Sequence, residues 1–252
     1  MPQAVDAFGF NRHLFLVPLS KFFLSTHQPQ VVGSFGSGSD LQKSALCDVL
    51  SSCDIVEIRL DILHTEQGFA TPNSWSHLTD IPLLFTARRS EEGGAASLDA
   101  ETRMNLLRET LDHAALIDIE VASIPEMTNL IEELRERNIP WIASYHDFKK
   151  LPANAALKHA AQKAKEAGAK VFKAAAMLAT PDDMARLAEF QLGDHGLLVS
   201  TMGMGPLAPI SRLLCAQSGS VLNYGYIGDS PTAPGQWDST FLKLAISRLA
   251  AM

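Results

Sequence analysis

From residue 30 onward the chain repeats one pattern: a short apolar run, a polar break, then a stretch with apolar residues at helical spacing. The apolar runs fall at 31–35, 54–61, 82–87, 116–121, 140–145, 170–174, 197–201 and 221–226. The helical stretches fall at 39–52, 99–113, 123–138, 152–168, 180–192, 206–219 and 235–251, with a weak, short candidate at 71–79. Strands that alternate with helices pair in parallel, because each return to the sheet needs a crossover. Their continuous apolar character fits burial on both faces. Eight such units predict an α/β protein, a (β/α)8 TIM barrel in a single domain over residues 29–252. An open doubly wound sheet is the alternative. Residues 1–28 fall outside the repeat. Phe8, Phe10, Phe15, Phe22 and Phe23 give them apolar content, which suits an N-terminal arm or a cap over the barrel bottom.

Composition narrows the partners. The 252 residues are 46% hydrophobic and 19% charged, enough for a large core and too apolar for a disordered chain. A net charge of -7 without a basic run argues against nucleic acid and anionic membranes, though a local arginine cluster can still hold an anionic ligand. The 3 cysteines, Cys47, Cys53 and Cys215, lack metal-ligand spacing and read as free thiols of a cytoplasmic protein. No apolar run is long enough to span a bilayer. The apolar residues 14–19 are too few for a good secretory signal.

Barrel chemistry belongs at the C-terminal ends of the strands, so polar residues inside or just after the apolar runs are the informative ones. Lys173, in Val-Phe-Lys-Ala-Ala-Ala, sits among apolar neighbours. Desolvation and nearby cations favour its neutral, nucleophilic form, whereas a lysine snorkelling to the rim is the plainer reading. His146 ends another strand, where it suits proton transfer or a structural hydrogen bond. Arg88 and Glu92 flank a loop that closes on Gly93-Gly94; it reads as a ligand loop or as a solvated charged turn. Glu57, Arg59 and Asp61, spaced by two, predict three charges on one strand face inside the barrel. The glycines at 33, 36 and 38 lack the Walker lysine and the dinucleotide spacing, and read as a strand-to-helix turn. No histidine pair with metal-ligand spacing occurs, so no metal is expected.

Taken in order, these segments resemble the type I 3-dehydroquinate dehydratases. The resemblance runs from about Val31 to Gln236. It is carried by Glu57-x-Arg59-x-Asp61, Thr86-x-Arg88-x-x-x-Glu92-Gly-Gly, Asp118-Ile-Glu120, Ser144-x-His146-Asp147, Lys173, Met202-Gly-Met204 with Ser211-Arg212, and Ala233-Pro-Gly-Gln236. It implies a (β/α)8 hydro-lyase of the shikimate pathway that dehydrates 3-dehydroquinate to 3-dehydroshikimate. No cofactor is implied, and a homodimer is. Lys173 then forms an imine with the substrate ketone. His146 removes the adjacent proton and returns it to the departing hydroxyl, and Glu92 holds His146; the neighbouring Glu91 fits the spacing from Arg88 less well. Arg212 resembles the carboxylate-binding arginine. Ser34, Glu57, Arg59, Arg88 and Gln236 resemble the residues gripping the hydroxyls and ring, with Met202, Met204, Tyr224 and Thr232 completing the binding set. Thr232 stands where the family commonly has serine, and Asn223-Tyr224-Gly225 replaces the more usual threonine-aromatic-glycine. Two other readings remain open at this point: a class I aldolase-like imine enzyme, and a non-catalytic sugar-acid-binding barrel.

Overall fold

A computed structural model describes residues 24–249, apart from 69, 70 and 79. The expected N-terminal arm therefore lies largely outside the described residues. Of it, Leu24 is buried and Ser25 to Gln28 form a tight turn leading into the first strand.

Eight parallel strands follow: β1 (Gln30–Phe35), β2 (Ile55–Arg59), β3 (Leu83–Thr86), β4 (Leu116–Glu120), β5 (Trp141–Asp147), β6 (Val171–Met177), β7 (Leu198–Met204) and β8 (Leu222–Ile227). Their order, β7-β6-β5-β4-β3-β2-β1-β8, brings the first strand against the last. The seam between β7 and β8 is bridged by Val221 N–H donating to Val199 O (3.2 Å) and Ser200 Oγ donating to Leu222 O (2.5 Å). The sheet is thus a nearly closed barrel, and the doubly wound alternative falls.

The helices are α1 (Gly38–Lys43), α2 (Leu46–Ser52), α3 (Leu60–Gln67), α4 (Ala100–Arg108), α5 (Thr128–Glu136), α6 (Asn154–Glu166), α7 (Pro181–Leu192), α8 (Ala208–Gln217) and α9 (Ser239–Ile246). The expected helix at 39–52 is two, parted where Ser44 and Ala45 turn extended. Among the described residues of the candidate at 71–79 there is only a 3-10 turn, Pro72–Ser74. The crossover helix there is α3, which starts directly at the end of β2 and stops at Gly68, whose φ of 74° favours glycine. The glycines at 33–38 form the end of β1 and the start of α1, with Ser37 capping the helix by accepting from Asp40 N–H.

Alternation within the strands builds two cores. Val31, Val56, Phe85, Ile117, Ala143, Phe172 and Val199 point outward and pack beneath the helices. Val32, Ile55, Leu84, Leu116, Ile142, Val171 and Leu222 form an apolar layer inside the barrel, closed below by Leu24 and Val221. Register aligns this layer: Val32 lies opposite Ile55, Leu84 opposite Leu116, and Ile142 opposite Val171.

Candidate active site

Two residues further along each strand, the same inward positions turn polar. Ser34 lies opposite Glu57, Thr86 opposite Asp118, and Ser144 and Ser200 flank Lys173 in register. All seven are buried. Buried polar groups are tolerable only when satisfied, and here they satisfy one another. Glu57 accepts from Ser34 Oγ (2.5 Å) and Thr86 Oγ1 (2.8 Å). Asp118 accepts from Lys173 Nζ (2.8 Å) and Ser144 Oγ (2.6 Å), and pairs with Arg88 (2.9 Å). Burial opposes ionisation of Asp118, but Arg88 and Lys173 outweigh it and hold the carboxyl far below its usual range. Lys173 also lies 4.3 Å from the ring centre of Tyr224, a cation–π contact.

Above this layer a cleft of about 490 Å³ opens at the C-terminal ends of the strands. Lys173, His146, Glu92, Glu57, Arg59, Arg88, Met202, Met204, Arg212, Tyr224, Thr232 and Gln236 all line it. Ser34 does not; it reaches the site through Glu57. Gly93 and Ala233, from the segments that carry the resemblance, complete the wall with Phe148 and Ala175, which were not anticipated. Nor was Asp118's pairing with Lys173. The same period-of-two reading that placed Glu57 inside the barrel places Asp118 there, between outward Ile117 and Ile119.

The loop carrying Glu92 leaves β3 as a 3-10 turn, Ser90–Glu92, and reverses at Gly93 (φ 88°). At Gly94 a side chain would strike the Arg88 carbonyl at 2.3 Å, so the tight return requires glycine. Glu92 Oε2 meets His146 Nδ1 at 3.0 Å and accepts from the His146 backbone N–H at 2.9 Å. Glu91 is turned away and pairs with Arg89. Burial, with Arg88 and Lys173 nearby, drives the His146 imidazolium well below its usual range, so the ring is neutral at physiological pH. Burial raises the Glu92 carboxyl to about 7; Arg88 opposes this and Glu120 adds to it.

The expectation of three charges on one strand face is corrected. β2 ends at Arg59, and Asp61 lies in the first turn of α3, where the helix N-terminus favours an acid. There it is fully buried and accepts from Arg59 Nε (2.9 Å) and Nη2 (2.7 Å), Arg88 N–H (3.2 Å) and Ala95 N–H (2.9 Å). Burial opposes its ionisation, yet Arg59 and these donors hold it below the usual carboxylate range. Asp61 thus braces the cavity residue Arg59 and clips the Glu92 loop to the start of α3.

Arg212, from α8, differs from the other cations of the cleft in its partners. It is 1% exposed, and its polar contacts are Tyr224 O (2.6 Å) and Met202 Sδ (3.7 Å). Its Nε lacks a partner, and among the described residues no carboxylate pairs with it. Burial alone brings the guanidinium down to about 10. A buried cation without a counter-ion, facing a cleft, has the chemistry to take an anion. The rim segment after β8 closes from the other side. Gln236 Oε1 accepts from Thr232 N–H (2.9 Å) and Oγ1 (2.8 Å), and Pro234 O accepts from Gly205 N–H (3.0 Å). Among the described residues no group of three or more His, Cys, Asp or Glu side chains could hold a metal ion. No helix among them is long and apolar enough to cross a membrane.

The family model of type I 3-dehydroquinase matches residues 37–248. This chain belongs to that family. The 3-dehydroquinate dehydratase of Methanothrix thermoacetophila is 33% identical over 225 residues, covering 88% of this chain and 93% of the relative. The 3-dehydroquinate dehydratase of Methanocella arvoryzae is 30% identical over 82% of this chain and 91% of its own. The crystal structure of 3-dehydroquinate dehydratase from Geobacillus kaustophilus superposes with a TM-score of 0.78 at 24% identity, covering 87% of this chain and 90% of that one. That likeness supports the barrel fold.

Proposed function

We propose that this member of the type I 3-dehydroquinase family dehydrates 3-dehydroquinate to 3-dehydroshikimate through an imine on Lys173, within the shikimate pathway. The observation that carries the reading is the convergence on one cleft of an inward lysine, a neutral histidine held by a carboxylate, and a buried unpaired arginine. Arg212 takes the substrate carboxylate as its missing counter-ion. Glu57, Arg59, Arg88 and Gln236 receive the hydroxyls and the ring, with Met202, Met204, Tyr224 and Thr232 around them, and Ser34 supports Glu57.

The chemistry follows from the groups present. The Lys173 amine adds to the ketone carbon, and the ketone oxygen leaves as water after taking one proton from the nitrogen and one from solvent, forming an iminium. Neutral His146 removes a proton from the neighbouring carbon. The electron pair moves into the C–N system, which accepts it better than a neutral ketone. The β-hydroxyl then departs as water, taking the proton His146 had gained, and hydrolysis of the imine frees the conjugated enone and Lys173. Glu92 orients the ring and stabilises its protonated form. The free thiols at Cys47, Cys53 and Cys215 suit a cytoplasmic setting. Exposed Ile210 on α8 and Phe241 and Leu244 on α9 suit a homodimer joined through outer helices.

The test is ultraviolet absorbance with 3-dehydroquinate, followed by borohydride and intact mass. Enone absorbance together with a reduced adduct mapped to Lys173 is the expected result, and Lys173→Ala abolishes both. Turnover at the wild-type rate in Lys173→Ala sinks the imine mechanism. Cleavage of the substrate into two fragments, without enone, favours an aldolase-like reaction; binding without turnover favours a sugar-acid-binding barrel.

A further inference from the structure

The charges around Lys173 continue past the cleft. Asp118, which accepts from Lys173, pairs with Arg88 Nη1 at 2.9 Å. The same nitrogen meets Glu120 Oε1 at 2.9 Å, and Glu120 Oε2 pairs with Arg103 Nη1 at 3.0 Å. Arg103 belongs to α4 and does not line the cleft. Its other contacts are Ser123 Oγ (3.1 Å) and Glu126 Oε2 (3.3 Å). Lys173, Asp118, Arg88, Glu120 and Arg103 therefore form an unbroken row of alternating charge, with no side chain more than 4% exposed. Beyond Arg103 the row ends on Glu126, whose side chain is 50% exposed.

We infer that Arg103 and Glu120 act as remote positioning residues for the proposed imine chemistry, setting through Arg88 and Asp118 how readily Lys173 gives up its proton. The inference rests on the imine reading. Glu120 sits between two arginines and divides its charge between them. Without Arg103, Glu120 has Arg88 to itself and draws it away from Asp118. More of the Asp118 charge then falls on Lys173 and favours the ammonium, which is not nucleophilic. Without the Glu120 charge, Arg88 turns wholly to Asp118, and Lys173 is released. The direct Coulomb effect has the same sign in each case: a lost cation favours the ammonium and a lost anion disfavours it. In a site shielded from water such effects carry across several ångströms.

Other groups also face Lys173. They are Glu57 from β2, Glu92 from the β3 loop, His146 from β5 and Tyr224 from β8, with the cations Arg59 and Arg212 on the same cleft. Arg103 contacts none of them, so Arg103→Gln isolates the row; Glu120 also raises the Glu92 carboxyl and accepts from Arg89 N–H (3.1 Å) in the loop that carries it, so Glu120→Gln serves as the arm of opposite sign.

The experiment traps the imine formed from 3-dehydroquinate with borohydride at short, fixed times across a pH series and reads the adduct by intact mass. The full chain is compared with Arg103→Gln, Arg103→Lys and Glu120→Gln. The expected result is a rate profile displaced to higher pH in Arg103→Gln by about half a pH unit, and to lower pH by a similar amount in Glu120→Gln. Arg103→Lys keeps the charge and stays near wild type. A purely structural role lowers the yield at every pH or moves both variants the same way, and either result overturns the inference. If Arg103→Gln does not fold, an unmoved profile in Glu120→Gln overturns it and an acid displacement upholds it. Absence of any adduct in the wild type is a different failure, because it removes the imine reading itself.

Discussion

Two layers inside the barrel are separated by two residues along every strand, and they differ in almost every property. The lower one, with Val32, Ile55, Leu84, Leu116, Ile142, Val171 and Leu222, is apolar and buried. The upper one, with Ser34, Glu57, Thr86, Asp118, Ser144, Lys173, Ser200 and Tyr224, is equally buried and mostly polar or charged. The lower layer needs nothing beyond close packing. In the upper one the hydroxyls, carboxylates and cations each depend on named partners, and Tyr224 Oη still lacks one. Removing a partner from such a network leaves a desolvated charge exposed to its neighbours, whereas removing a methyl group from the apolar layer leaves only a cavity. One barrel therefore separates stability from chemistry by height along its axis.

That separation can be broken from either side. The larger expected effect is above. His146→Ala removes the proposed proton carrier and is expected to lower kcat by about 10²–10⁴, while the Lys173 adduct still forms and melting changes little. Loss of the adduct along with turnover would instead give His146 a part in imine formation. Below, Ile142→Ala deletes most of a fully buried side chain four residues before His146 on the same strand. It is expected to cost about 2–5 kcal/mol of folding stability, read from denaturant unfolding. Turnover per trapped site stays near wild type. A fall in that turnover matching the loss of stability would show that the two layers are mechanically coupled.

Much of this contrast was legible in the sequence, and for a physical reason. Parallel strands buried on both faces read as continuous apolar runs, so the charges within them, Glu57, Asp118 and Lys173, stand out and mark the inward face. The same regularity hid α3. Apolar residues alternate with single charges from Ile55 through Ile58 and Leu60 to Leu63 with no polar stretch between strand and helix, so the two merge and Asp61 looks like a strand residue. Choosing between a period of two and one of 3.6 over so few residues depends on tertiary packing. Pairing partners were hidden as well. Lys173 appeared to be a lysine among apolar residues and cations, and the carboxylate that holds it lies 55 positions away, two strands over. Glu92 was separable from Glu91 by spacing, and the structure sends Glu91 to Arg89 and Glu92 to His146. Register brings such residues together, and only the folded barrel shows it.

Glu92 supplies the smallest and most selective way to sharpen the comparison, since it is a carboxyl whose charge is disfavoured by the fold. Burial lifts it from 4.5 to about 7. A carboxyl raised in the folded state binds its proton more tightly there than in the unfolded chain. Its contribution to stability is full below about 4.5 and is lost as pH rises through about 7. Glu92→Gln keeps the shape and resembles the protonated acid at every pH. The melting temperature of wild type is therefore expected to fall relative to Glu92→Gln between those two pH values and then to run parallel above them, by about 2–4 °C for each kcal/mol involved. A difference that stays constant with pH would mean that Glu92 titrates alike in both states, with its negative charge carried at no cost by a protonated His146. The opposite slope, wild type gaining with pH, would make the pair a stabilising ion pair and give His146 a charged rather than a neutral resting form.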